Sequence, residues 1–124
     1  MLTKLFTPYK IGSLEVPNRL VVPAMVSNFN TIDGYPTERW MAYHEAKARG
    51  GWGLIITEDY NIEEHAKGYR FIAGLWKDEQ IESHKKFTDR IHQYESKIVA
   101  QIYHPGRQST TVSNGGEQPV APSA

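Results

Sequence analysis

The stretch KIVAQIYHPGRQS, Lys97 to Ser109, decides how the chain is read. Lys97–Tyr103 is an apolar run of strand length, and a histidine, a Pro-Gly turn and an arginine follow at once. A polar group inside such a run must be hydrogen-bonded, or it costs about 1–3 kcal/mol of desolvation. Gln101 is that group. Its amide presents a donor and an acceptor in one plane, which suits a flat heterocycle with adjacent carbonyl and N–H groups; neighbouring backbone would satisfy it equally well.

Working backwards, Asp78 can cap a helix in which Ile81, His84, Thr88, Ile91 and Tyr94-Glu95 mark one stripe. GLIIT, Gly53–Thr57, reads as a second buried strand, followed by a polar and aromatic loop from Glu58 to about Lys77. Before it, Thr37 is the N-cap of a helix over TERWMAYHEAKARGG that Gly50-Gly51 ends. RLVV, Arg19–Val22, is a first strand stopped by Pro23, with a loop over residues 24–36. YKIGSLEV, Tyr9–Val16, turns at Gly12-Ser13 as a small hairpin and is broken by Pro17-Asn18.

Strands that are apolar on both faces and alternate with helices predict a parallel sheet of βαβ units in an α/β fold. The polar residues then gather after each strand, at Ala24 to Asn28, Glu58-Asp59, and Gln101 with His104 and Arg107. All three groups fall on the carboxyl edge of the sheet, where barrels and open α/β sheets keep their sites.

Each group has two readings. In VPAMVSN, small residues let backbone approach a ligand and Met25 offers a polarizable contact; the same residues make an ordinary strand cap with a core methionine. His104 and Arg107 suit acid–base work and anion clamping, or they pin their loop against Glu58 and Asp59. Glu63, Glu64 and Lys67 read as a solvated loop face. The five histidines lack metal-ligand spacing, ARGGWG does not make a dinucleotide fingerprint, and no phosphate-binding P-loop is present.

The 124 residues make one domain or part of one, and 40% are hydrophobic, which is ordinary for a globular chain. Fourteen basic residues balance fourteen acidic ones without a block of either sign, so nothing points to nucleic acid or an anionic membrane. With no cysteine, disulfides, thiolate nucleophiles and iron–sulfur ligation are excluded within this chain. MLTKLFTPYK lacks the apolar core of a signal peptide, and no run approaches the roughly 18 apolar residues of a membrane span. A cytoplasmic protein is expected.

Three fragments together are more specific than any one of them. LFTPYKIGSLEVPNRLVVPAM, GGWGLIITED and KIVAQIYHPGRQS resemble, in order and spacing, the Old Yellow Enzyme family of flavin oxidoreductases, particularly its NADH:flavin oxidoreductase and 2,4-dienoyl-CoA reductase branch. WKDEQIESHKKFTDRIHQYESK and the closing VAPSA extend the likeness over essentially the whole chain. The resemblance implies the amino-terminal portion of a TIM (β/α)8 barrel over residues 1–124, about three βα units plus a capping hairpin. It implies FMN across the carboxyl strand ends, NADH or NADPH as reductant, and hydride delivery through flavin N5 to an activated C=C bond of a small alkene substrate. By position, Pro23, Ala24 and Met25 line the ring and Gln101 meets its N3 and O2 region. Asp59 stands where the family usually has a small residue near the pyrimidine edge; its backbone is expected to do the work and its side chain to turn away. Asn28 stands where some relatives carry a substrate-facing tyrosine.

A barrel of this type takes about 250 residues and eight strands, and three are counted here. The phosphate site, the proton donor and, in the reductase branch, an iron–sulfur cluster and second flavin domain are expected downstream. The chain by itself is therefore expected to be incomplete and inactive, with a homo-oligomer or the remaining barrel segment as its partner. The alternative is a non-catalytic fragment that self-associates; a lyase using His104 and Glu58 is a weaker third reading.

Overall fold

The computed structural model describes residues 3–123. The hairpin forms as expected: β1 (Tyr9–Ile11) pairs antiparallel with β2 (Leu14–Val16) across Gly12, whose φ of 60° suits the turn. Asn18 then shapes the entry to the sheet. Its Oδ1 accepts from the N–H groups of Leu20 (3.0 Å) and Gly53 (3.1 Å), and its Nδ2 donates to Gly51 O at 2.8 Å.

The sheet is parallel and built around β4 (Leu54–Asn61). On one side β3 (Val21–Val22) pairs with its start, and the two-residue β5 (Ala73–Gly74) with its end. On the other side β6 (Lys97–Tyr103) runs along its full length. Helices α1 (Glu38–Arg49) and α2 (Ile81–Ile91) cover one sheet face. Trp40 and Phe87 meet there at 4.3 Å between ring centroids, packed with Val22, Ala48, Ile55, Tyr60 and Ile91.

Thr37 caps α1, its hydroxyl accepting from Trp40 N–H at 3.2 Å while donating to Phe29 O. The other helix start differs from expectation. A 3₁₀ turn occupies Asp78–Gln80, and Gln80 Oε1 accepts from the backbone of Trp76 (3.0 Å) and Lys77 (3.3 Å), so a longer amide does the capping expected of Asp78. The buried stripe of α2 is His84, Phe87 and Ile91, and Gln80 continues it into the 3₁₀ turn, so that Ile81, one position round the helix, is exposed.

Two further boundaries differ. The first strand narrows to Val21–Val22, and the second continues past Thr57 through Glu58 and Asp59 to Asn61. The chain thus forms an α/β fold with two strand–helix pairs and a third strand, β6, followed among the described residues by a single 3₁₀ turn (Gly106–Gln108) and no α-helix. The sheet is open, and the described residues form no closed barrel. The face away from the helices is bare: Val21 and Val99 are 40% and 42% exposed. No helix among the described residues is long and apolar enough to cross a membrane.

Candidate functional site at the carboxyl edge of the sheet

Because β3, β4 and β6 are neighbouring and parallel, their carboxyl ends leave the sheet on one edge. A bulge in β4 decides what they present there. Ile55 and Tyr60 both lie in the core with Trp40, although they are five positions apart and an unbroken strand would turn them to opposite faces. The register shift between Ile56 and Asp59 resets the alternation. Glu58 is thereby turned into the helix layer and Asp59 onto the bare face.

Asp59 is the register partner of Gln101, and Gln101 Nε2 donates to Asp59 Oδ1. The Asp59 side chain therefore does not turn away; it engages the glutamine amide. Gln101 is exposed rather than sealed in a core, and among the described residues its carbonyl oxygen accepts no hydrogen bond. Pro23 and Met25 are exposed and Ala24 is half-buried at the neighbouring strand end. Tyr103, at the end of β6, has its hydroxyl pKa raised by burial and then by the Asp59 carboxylate.

The histidine and arginine after β6 do not reach Glu58 or Asp59. His104 Nδ1 accepts from Gly106 N–H at 3.0 Å and its Nε2 lies 3.5 Å from Glu63 Oε2, so the ring braces its own turn. Arg107 is exposed. Glu58 is fully buried 3.7 Å from His44, which removes it from any acid–base pairing with His104.

Lys67 is likewise not part of a solvated face. It is buried, with Nζ donating to Ile32 O (2.8 Å) and its backbone N–H donating to Asn114 Oδ1 (2.8 Å). Burial lowers its ammonium pKa, partly offset by Glu64 and Asp33. Ser109 donates to Lys67 O, so this lysine ties together the loops after β3, β4 and β6. The sequence signal for the Lys67 clamps was weak, since each joins groups more than thirty positions apart. Among the described residues, no three His, Asp or Glu side chains come together as a metal site.

An amide whose N–H₂ is held by a carboxylate, beside a small-residue strand exit and a flat apolar face, can receive a planar ring that donates an N–H at its edge. The model of the NADH:flavin oxidoreductase / NADH oxidase family matches residues 4–124. The chain belongs to this family, which includes the Old Yellow Enzymes. It is 38% identical over 120 residues to an NADH oxidase of Thermoanaerobacter brockii, covering 96% of this chain and 18% of that protein. An NADPH dehydrogenase of Listeria monocytogenes is 34% identical over 124 residues, 99% of this chain and 36% of the relative. Among solved structures, morphinone reductase superposes with a TM-score of 0.85 at 37% identity over 97% of this chain and 32% of that one. A 2-naphthoyl-CoA reductase complex superposes at 0.92 with 29% identity, over 100% and 21%. The chain thus spans about a fifth to a third of these flavin-oxidoreductase relatives.

Proposed function

We propose that residues 1–124 are the amino-terminal portion of a (β/α)8 barrel and carry one wall of the FMN site of an ene-reductase-type oxidoreductase. The barrel reading is supported by the parallel order β3–β4–β6, by helices confined to one face, and by likeness to reductases of which the chain covers only a part. In that setting the bare face with Val21 and Val99 is the barrel interior, covered by the remaining strands.

The observation that carries the flavin reading is the Gln101–Asp59 pair. With its N–H₂ committed to Asp59, Gln101 offers its carbonyl oxygen to the N3–H edge of the ring. Pro23, Ala24 and Met25 would lie against the ring, with Ala24 small enough for close backbone approach and Met25 polarizable. Asp59 contributes its backbone and orients the glutamine. When bound, FMN supplies the hydride chemistry that links NADH or NADPH, drawn from the cytoplasm, to an activated C=C bond of a small enone or enoyl substrate. The residues of this chain bind, orient and tune.

Titration with FMN, followed by flavin fluorescence in the complete enzyme, tests the assignment. Gln101→Ala is expected to weaken binding by about tenfold, the worth of one hydrogen bond to a buried partner, or to shift the flavin potential. Unchanged affinity and potential would remove Gln101 from the site. The 124 residues alone are expected to bind FMN weakly and to turn over nothing, because they supply one wall; tight stoichiometric binding by a monomer would contradict the incomplete-site reading.

A further inference from the structure

Glu58 belongs to none of the residues assigned to the flavin above, yet it sits directly behind them. Its side chain is 0% exposed. Oε2 accepts the backbone N–H of Ser27 at 2.8 Å. Oε1 has no hydrogen-bond partner among the described residues; its near neighbour is His44 Nε2 at 3.7 Å. The imidazole is itself packed among Trp40 (4.5 Å), Tyr43 (5.2 Å) and Phe87 (5.5 Å) between ring centroids.

A carboxylate buried with so few partners is a costly device for holding a fold together, since an apolar side chain of similar volume fills such a space with less desolvation. Its position says what it does instead. No hydrogen bond of Pro23, Ala24, Met25 or Val26 is found among the described residues. That span is held by its two ends: Val22 in the sheet, and Ser27 on the Glu58 carboxylate. Just beyond, Asn28 has a φ of 59°, in the left-handed region, and its Oδ1 accepts from Phe71 N–H at 2.7 Å. The β4 bulge that puts Asp59 beside Gln101 also aims Glu58 at Ser27, so one irregularity fixes both sides of the wall.

We propose that Glu58 is a positioning residue: through the Ser27 N–H it sets where Pro23, Ala24 and Met25 stand, and thereby how tightly the ring is held. This rests on the flavin reading above. The role needs an acceptor at the end of the side chain and does not need a negative charge.

Three variants of the complete enzyme test it: Glu58→Gln, Glu58→Ala, and Ile91→Val, a core change in α2 remote from the loop. Dissociation constants for FMN and melting temperatures are measured on each. Glu58→Gln keeps a carbonyl for Ser27 and is expected to bind FMN within about threefold of wild type, whereas Glu58→Ala is expected to lose at least about tenfold. Ile91→Val is expected to lose melting temperature without losing FMN affinity. Wild-type affinity in folded Glu58→Ala, or a loss in Ile91→Val as large as in Glu58→Ala, would overturn the proposal.

If Glu58→Ala does not fold, amide exchange in the wild type decides. Ser27 is expected to exchange much more slowly than Ala24, and equally fast exchange would refute the tether whether or not FMN binds. Slow Ser27 exchange in an enzyme that binds no FMN would overturn the flavin reading, and the positioning role with it, while leaving the tether as a structural fact.

Discussion

His84 shows how a single side chain couples this fold to pH. Its Nε2–H donates to Gly74 O at 2.6 Å, while Nδ1 is buried without a hydrogen-bond partner among the described residues; the ring meets Tyr60 edge-on, 5.0 Å between centroids. Burial pushes the imidazole pKa below its ordinary value, and the bond to Gly74 pulls it part of the way back. The folded chain therefore resists a proton that the unfolded chain accepts below about pH 6.5. Stability associated with neutral His84 is full above that pH and falls as acid is added, by at most about 1.4 kcal/mol per pH unit, until the lowered folded pKa is passed. His84→Gln, which keeps a donor for Gly74, is expected to flatten the fall in melting temperature as the pH is lowered below about 6.5. A profile parallel to wild type would show that His84 does not carry this dependence. At this scale the sequence was legible where the partner is close along the chain. Thr37 could be read as a cap because the N–H it receives is three residues away. The burial of Glu58 and Lys67 could not, because Ser27 and Asn114 lie 31 and 47 residues from them.

Among the elements, β6 is the instructive one. KIVAQIY has the composition of a buried strand, yet Val99 and Ile102 are 42% and 61% exposed. Composition records that a strand needs covering, but not what covers it. Val99 stands on the bare face of the sheet, Ile102, opposite Tyr60, stands on the helix side, and the far edge of β6 has no neighbouring strand among the described residues. An apolar face next to an unpaired edge favours association. The 124-residue chain in isolation is expected to show a mass above that of a monomer, rising with concentration, and Ile102→Lys or Val99→Lys is expected to lower it. A monodisperse monomer at all concentrations would contradict this. β4 outruns its apolar stretch for a related reason. Glu58 and Asp59 look like a strand exit, but the bulge lets the ladder continue through them by sending one carboxylate to each face.

For the molecule as a whole, the order of strands and helices was legible because short apolar runs alternate with capped helical stripes, and parallel pairing follows from that order. The expected gathering of Ala24 to Asn28, Glu58-Asp59, and Gln101 with His104 and Arg107 followed in turn; the parallel register brings the strand ends to one edge, but Glu58, Asp59 and Gln101 lie within β4 and β6 rather than after them. What the order did not contain was the division of labour at that edge: Asp59 holding Gln101, Glu58 holding Ser27, and His104 holding its own turn. The central claim is that these strand ends form one wall for a flat ring. A nuclear magnetic resonance titration with FMN tests it most directly, since weak binding by one wall suffices for the readout. Shifts are expected at the Gln101 side-chain amide and at the backbone of Ala24, Met25 and Asp59, with little change in α1 and α2. Shifts gathered elsewhere, or none at saturating flavin, would contradict it.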